Sequence, residues 1–209
     1  MPVYSINLTN RRLNILGIHI PKTGGTALNH FFKLMGFTEH FGTENHSIRS
    51  TMRCPPQHYH YDILDQILNI SSFDFCFAVV RNPIERCWSD YHWAKKNTAL
   101  SETNLLFDDW VQLVLEKYKE NPFYLANHIR PQSDFVGPYI KKIFKFEDGL
   151  ESALEQIFKS LGYESNNKLE IPKINVSEYS SDLICSSKTI SLVQEFYFND
   201  YINFNYKLS

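Results

Sequence analysis

The segment 21–26, Pro-Lys-Thr-Gly-Gly-Thr, contains residue types that could bind a charged ligand. Its two glycines let the backbone approach a ligand closely, so that consecutive N–H groups can surround an anion. Lys22 adds a mobile positive charge, and a helix that begins directly afterwards would point its positive end at the same place. The pattern therefore predicts a phosphate-binding turn. Its predicted binding residues are Lys22, Thr23, Gly24, Gly25 and Thr26.

A second candidate turn begins at Arg81, directly after an apolar run that predicts a buried strand. The carboxyl ends of strands in open α/β sheets are where such folds bind ligands. Arg86 and Ser89 are three residues apart and would share one face of the following helix. A guanidinium with a hydroxyl suits a phosphate, although an arginine at a strand end is often a structural ion-pair partner. We predict that Arg81 and Ser89 bind a second anionic group of the same ligand.

Two histidines between these turns, His58 and His60, are candidates for proton transfer. In an extended segment they would point to the same side of the chain, and a neutral imidazole can take the proton of a hydroxyl group. We predict His60 as the general base, ahead of His58. Both could instead be surface or hydrogen-bonded histidines. A third metal ligand at plausible spacing is not evident, so we expect no metal.

The elements that position these residues follow from two near-continuous apolar runs, residues 13–20 and 75–80, which predict buried parallel strands. Each leads through a turn into a helical pattern, residues 27–35 and 83–96. Strand, turn and helix repeated twice predict an α/β fold in which helices flank a central parallel sheet in three layers. Further helices are predicted at 107–118, 150–161 and 189–204, a short strand at 142–146, and a long surface loop or lid at 163–188.

The composition limits the classes of protein to which the chain can belong. The 209 residues, 43% of them apolar, predict a single domain over residues 1–209. A net charge of -2 excludes a globally basic nucleic-acid binder. No apolar run reaches the roughly 18 residues of a membrane helix, and no secretory pattern is evident, so we expect a cytoplasmic protein. The 4 cysteines form no CxxC pair and are expected to be reduced thiols.

Taken together, the two turns resemble those of the sulfotransferases that use 3′-phosphoadenosine 5′-phosphosulfate. Residues 20–26 are similar to the loop that binds the 5′-phosphosulfate, and Arg81-Asn82-Pro83 with Arg86, Ser89 and Tyr91 is similar to the 3′-phosphate motif. Within that superfamily the chain resembles the carbohydrate sulfotransferases, including the Golgi 2-O-sulfotransferase type and short bacterial relatives. Weaker likeness extends over residues 128–133, 145–148, 175–177 and 200–206.

This resemblance implies a P-loop-like fold and the transfer of a sulfuryl group to a carbohydrate or another hydroxyl acceptor. Lys22 would stabilise the bridging oxygen and the departing 5′-phosphate, which residues 23–26 would hold. Arg81 and Ser89 would hold the 3′-phosphate of this donor co-substrate. Related enzymes place a catalytic histidine in a His-x-His stretch corresponding to residues 58–60. The resemblance implies no metal, and the absence of a Golgi-type anchor pattern favours the bacterial type.

Two other functions are compatible with the residues. A small nucleotide kinase of the P-loop class is disfavoured, because that motif places its lysine after the glycines whereas Lys22 precedes them. A magnesium-binding acidic residue after a strand is also not evident. A noncatalytic nucleotide- or glycan-binding module is the other alternative, which only a test of turnover separates from the enzyme. The sequence indicates neither the acceptor nor the oligomeric state.

Overall fold

The computed structural model describes residues 3–41, 51–98, 104–163 and 185–208. Predicted features in residues 42–50, 99–103 and 164–184, including most of the expected loop at 163–188, lie outside these ranges. The elements in chain order are β1 (Val3–Asn7), β2 (Arg12–Ile18), α1 (Gly25–Leu34), β3 (Thr38–His40), α2 (Tyr61–Ile67), β4 (Phe75–Val80), α3 (Pro83–Asn97), α4 (Phe107–Glu120), β5 (Lys142–Lys145), α5 (Leu150–Leu161), α6 (Ser187–Phe196) and α7 (Phe198–Asn203).

The strands form one five-stranded sheet in the order β3-β1-β2-β4-β5. The three strands β2, β4 and β5 are parallel, with Ile15 opposite Phe75 and Val80 opposite Lys145. In contrast, β1 is antiparallel to both β2 and β3. The sheet is therefore mixed rather than wholly parallel, which corrects the sequence prediction. The two antiparallel strands were missed because they are short and only partly apolar.

Helices cover both faces of the sheet. On one face, Leu13, Phe77 and other strand side chains pack in one apolar cluster with residues of α1 and α5. On the other face, Leu16 and Ala78 pack in a cluster with residues of α2 and with Phe204 at the C-terminal end. A third cluster joins α3, α4, α6 and α7 beside the sheet. The molecule is thus a mixed α/β fold with a sheet flanked by helices.

Most predicted elements lie close to their observed positions, and the segment 75–80 and the segment 150–161 have the predicted bounds. The predicted helix 189–204 is instead two helices, because Tyr197 takes a φ of -99° and a ψ of 25° between them. The 4 cysteines are free thiols. Within the described ranges, none of the helices combines the length and the apolar character that crossing a membrane requires.

Candidate active site

The first turn connects β2 to α1, and both of its glycines are required by their surroundings. Gly24 has a φ of +87°, where side chains are strained, and a Cβ there would lie 2.7 Å from Cδ1 of Leu150. At Gly25 a Cβ would lie 2.6 Å from Nε2 of His19. The first N–H groups of α1 have no acceptor within the helix. The turn therefore offers donors to a ligand that approaches its backbone closely.

The side chains of this turn differ in how available they are. Lys22 has a positive φ of 69°, and its ammonium group makes no hydrogen bond or ion pair with a described residue. Burial lowers the pKa of Lys22, while the charge of Asp90 opposes that change. Thr23 is buried and its hydroxyl donates to the carbonyl of Ile20 at 2.9 Å, so only its backbone could serve an anion. Thr26 is exposed at the helix start.

The second turn follows β4 and opens α3. Asn82 caps this helix, since its side chain accepts from the N–H of Ile84 at 3.1 Å. The guanidinium of Arg81 lies 4.7 Å over the ring of Phe146 and 3.6 Å from the carboxylate of Glu85. Its Nε is buried and has no hydrogen-bond partner among the described residues. The hydroxyl of Ser89 likewise makes no hydrogen bond to a described residue, so both predicted residues have unused donors.

The side chain of Arg86 does not lie beside Ser89 at the predicted phosphate site, as its spacing suggests. It is only 1% exposed and donates to the carbonyl oxygens of His128 and Arg130, each at 2.9 Å. Its guanidinium also lies 5.1 Å from the centre of the Tyr197 ring. Although it is three residues from Ser89, Arg86 therefore points into the protein and holds the backbone of residues 128–130.

His58 is buried and its two ring nitrogens are both in use. Nδ1 lies 3.0 Å from the carbonyl of Ala126, to which it can donate, and Nε2 lies 3.0 Å from Nε2 of Gln57. Burial lowers the pKa of His58 well below its ordinary value, and the neighbouring His128 and His19 add to this. The residue lies in a short 3-10 turn, Pro56–His58, so the segment is not extended at this position.

His60 directly precedes α2. Its Nδ1 lies 3.4 Å from Nδ2 of Asn127, and its ring lies 5.9 Å from that of Phe123. Burial lowers the pKa of His60, with Arg130 adding to the effect. By contrast, the ring centre of His58 is 5.3 Å from that of His19, which abuts Gly25. The role of either histidine as base stays a prediction.

One buried pair near the site was not predicted from the sequence. Nδ1 of His128 lies 2.6 Å from Oδ1 of Asp90, although the two residues are 38 apart in the chain. No local pattern connects positions so distant, so periodicity gives no signal for this contact. Among the residues that the structure describes, no group of three or more His, Cys, Asp or Glu could hold a metal ion.

The two turns thus lie together at the carboxyl ends of neighbouring parallel strands, each with unused donors. The family model for the sulfotransferase family matches residues 7–207 of the chain. Neither the curated proteins nor the solved structures include a match. Because the family model spans nearly the whole sequence and includes both turns, the chain belongs to the sulfotransferase family.

Proposed function

We propose that this sulfotransferase moves a sulfuryl group from 3′-phosphoadenosine 5′-phosphosulfate to a hydroxyl group of a carbohydrate. The observation that carries the proposal is the junction of the two turns, where Arg81 contacts the carbonyl of Lys22. A donor with phosphates at both ends of a nucleoside fits two separate anion sites. The proposal includes a three-layer, P-loop-like arrangement of the flanked sheet.

The available groups fit this donor substrate. The backbone of residues 23–26 would hold the 5′-phosphate, because the first N–H groups of α1 have no acceptor within the helix. Within the part of the chain that the structure describes, the buried Nε of Arg81 has no partner and the hydroxyl of Ser89 makes no hydrogen bond. These two residues would hold the 3′-phosphate, since a charged donor prefers a charged acceptor.

Lys22 would act mainly in the transition state. In-line sulfuryl transfer moves negative charge onto the departing phosphate oxygen, much as phosphoryl transfer does, so that positioning and charge stabilisation supply most of the rate enhancement. The ammonium group of Lys22 has no competing ion pair with a described residue. It could therefore follow the charge as it develops on the leaving group.

The proposal of a carbohydrate acceptor is based on the likeness of the two turns and of residues 58–60 to carbohydrate sulfotransferases. The test is mass spectrometry of a panel of unsulfated glycans incubated with the protein and the sulfate donor. We expect at least one glycan to gain the mass of a single sulfate group, and the Lys22→Ala protein to give little product. Transfer of phosphate from ATP with magnesium to a glycan or nucleotide would instead support a kinase.

A further inference from the structure

Asp90 of α3 and His128 form a buried pair. Asp90 is 2% exposed and His128 is 5% exposed, and the carboxylate accepts from Nδ1 of the imidazole at 2.6 Å. A proton held on Nδ1 leaves a lone pair on Nε2. That Nε2 has no hydrogen bond to a described residue and is not among the fully buried atoms without a partner. The pair therefore leaves one imidazole nitrogen without a hydrogen-bond partner among the described residues.

Two further imidazoles, those of His58 and His19, connect this pair to the first turn. The charge of Asp90 acts on Lys22 and opposes the lowering of its pKa by burial. Burial lowers the pKa of His19 to about 3, and the charges of His128 and Lys22 contribute to this. The ring centre of His58 lies 5.3 Å from that of His19 and 4.9 Å from that of His128. The imidazoles thus form a continuous row from the glycine turn to His128.

The ring of His128 is held in one orientation. Trp93 stacks on it, with 4.1 Å between ring centres and 26° between planes, and His58 packs against it at 74°. Together with the hydrogen bond to Asp90, these contacts fix the tautomer and the direction of Nε2. Fixed orientation of this kind is what a catalytic group requires.

The backbone just before His128 is strained. Leu125 and Ala126 have left-handed φ and ψ values of 49° and 39°, and of 56° and 46°, and Asn127 has a φ of 68°. Such conformations cost roughly 1–2 kcal/mol per residue other than glycine. The buried side chain of Asn127 donates to the carbonyl of His58 at 2.9 Å and accepts from Arg130. Strain retained in this way is typical of functional sites.

The backbone that follows is held by buried side chains. Arg86 and Tyr197 donate to the carbonyl oxygens of residues 128–130. Asp200 accepts from the N–H groups of residues 132–133 at 2.8 and 2.7 Å. Every one of these contacts comes from α3, α6, α7 or their junction, so the position of His128 depends on the whole helical cluster.

We propose that His128 is the general base of the reaction and that Asp90 positions it; this rests on the proposed function. Nε2 of His128 takes the proton of the acceptor hydroxyl while the acceptor oxygen forms a bond to sulfur. The bond from sulfur to the 5′-phosphate oxygen breaks, and its electron pair leaves with the bisphosphate beside Lys22. The imidazolium that results is stabilised by Asp90 and then loses its proton to water.

The two histidines predicted from the sequence are less suited to this role. Both nitrogens of His58 are within 3.0 Å of polar partners. His60 has no carboxylate partner within hydrogen-bonding distance among the described residues, and its ring packs near Phe123 and Phe135. Of His58, His60 and His128, the last alone combines a carboxylate partner with a nitrogen that makes no hydrogen bond to a described residue.

The first test compares His128→Ala, His58→Ala, His60→Ala and Asp90→Asn in sulfate transfer to the glycan that gains a sulfate in the panel. We expect His128→Ala to lower kcat by about 100- to 10,000-fold and added imidazole to restore part of it. Asp90→Asn should lower kcat about 10-fold or more with little change in the KM for the donor. If His128→Ala keeps kcat within about threefold while His60→Ala abolishes transfer, the proposal is overturned.

Calorimetry of adenosine 3′,5′-bisphosphate binding distinguishes a wrong choice of base from a wrong proposed function. His128→Ala should bind it as the unchanged protein does, and failure of the unchanged protein to bind it would contradict the proposed function instead. If His128→Ala does not fold, as judged by circular dichroism, His128→Gln replaces it in the same assays.

A third measurement needs no acceptor. Diethyl pyrocarbonate acylates an accessible imidazole nitrogen, and mass spectrometry of peptides locates the label. We expect label on His128 ahead of His58 in the free protein. Label on His60 with none on His128 would overturn the proposal, because a base must be reachable.

Discussion

The guanidinium of Arg81 donates a hydrogen bond to the backbone carbonyl of Lys22, with 3.4 Å between Nη1 and the oxygen and 59 residues between the two positions. This contact fastens the turn after β2 to the turn after β4. Gln132 adds to it by accepting from the N–H of Arg81 at 2.9 Å and donating to its carbonyl at 2.7 Å. The spacing between the two anion sites is therefore set by side chains as well as by the sheet.

Replacing Lys22 should affect the chemical step more than binding. We expect Lys22→Ala to lower kcat by the equivalent of about 2–4 kcal/mol, as for the loss of one preorganised electrostatic donor. The KM for the donor should rise much less, because the charge matters most in the transition state. Steady-state kinetics with varied donor measure both. A rise in KM with unchanged kcat would make Lys22 a binding residue only.

The two-site assignment predicts a preference between nucleotides. Adenosine 3′,5′-bisphosphate should bind about 10- to 100-fold more tightly than AMP, because a charge-assisted contact to Arg81 is lost with the 3′-phosphate. Arg81→Ala should remove most of this difference. Arg12→Ala, at the opposite end of β2, is the matched control and should retain it. Equal affinities of the unchanged protein in calorimetry would contradict the assignment.

Gly24 should tolerate alanine less well than another left-handed glycine. Gly24→Ala adds strain and a contact at 2.7 Å, whereas Gly36 has a φ of +82° with nothing within 4 Å of a Cβ. We expect Gly36→Ala to lower the free energy of unfolding by about 1 kcal/mol and Gly24→Ala by about 2 kcal/mol or more. Only Gly24→Ala should weaken bisphosphate binding. Urea unfolding and calorimetry measure these effects, and equal losses would contradict the packing argument.

Arg86 should contribute to stability rather than to phosphate binding. Arg86→Leu removes the donors to two buried carbonyls and should lower the free energy of unfolding by about 2–5 kcal/mol. Exposed Arg53→Leu should change it by less than about 0.5 kcal/mol. Bisphosphate affinity should fall less for Arg86→Leu than for Arg81→Ala. The reverse order would indicate that Arg86 contacts the ligand.

Acidification should destabilise the protein through its buried histidines. The pKa of His19 is lowered to about 3 by burial, and that of His58 is lowered well below 6.5. Between these values and about 6.5 the unfolded chain binds more protons, so the free energy of unfolding rises with pH. From pH 7 to about pH 5.5 we expect His19 to account for a loss of roughly 1 kcal/mol.

Urea unfolding of the unchanged protein and of His19→Asn at both pH values measures this effect. The variant should lose less stability on acidification, although His58 still contributes. A free energy of unfolding that increases from pH 7 to about pH 5.5 would contradict the pKa directions.

Local signals in the sequence determined much of the fold and both turns. Apolar runs predicted β2 and β4, glycines predicted a close backbone turn at residues 24–25, and Asn82-Pro83 predicted the start of α3, because each depends on neighbouring residues only. The family match over residues 7–207 agrees with the superfamily that these turns indicated.

The tertiary structure decided what depends on distant pairs. The antiparallel edge of the sheet, the inward direction of Arg86 and the meeting of Asp90 with His128 all require contacts across many residues of chain. Spacing along one helix placed Arg86 near Ser89, but burial of its guanidinium needs carbonyl partners that only the folded chain supplies. Which histidine can accept a proton also depends on the tertiary structure. The hydrogen-bond partner of an imidazole nitrogen comes from another element, so no periodic pattern in the sequence predicts it.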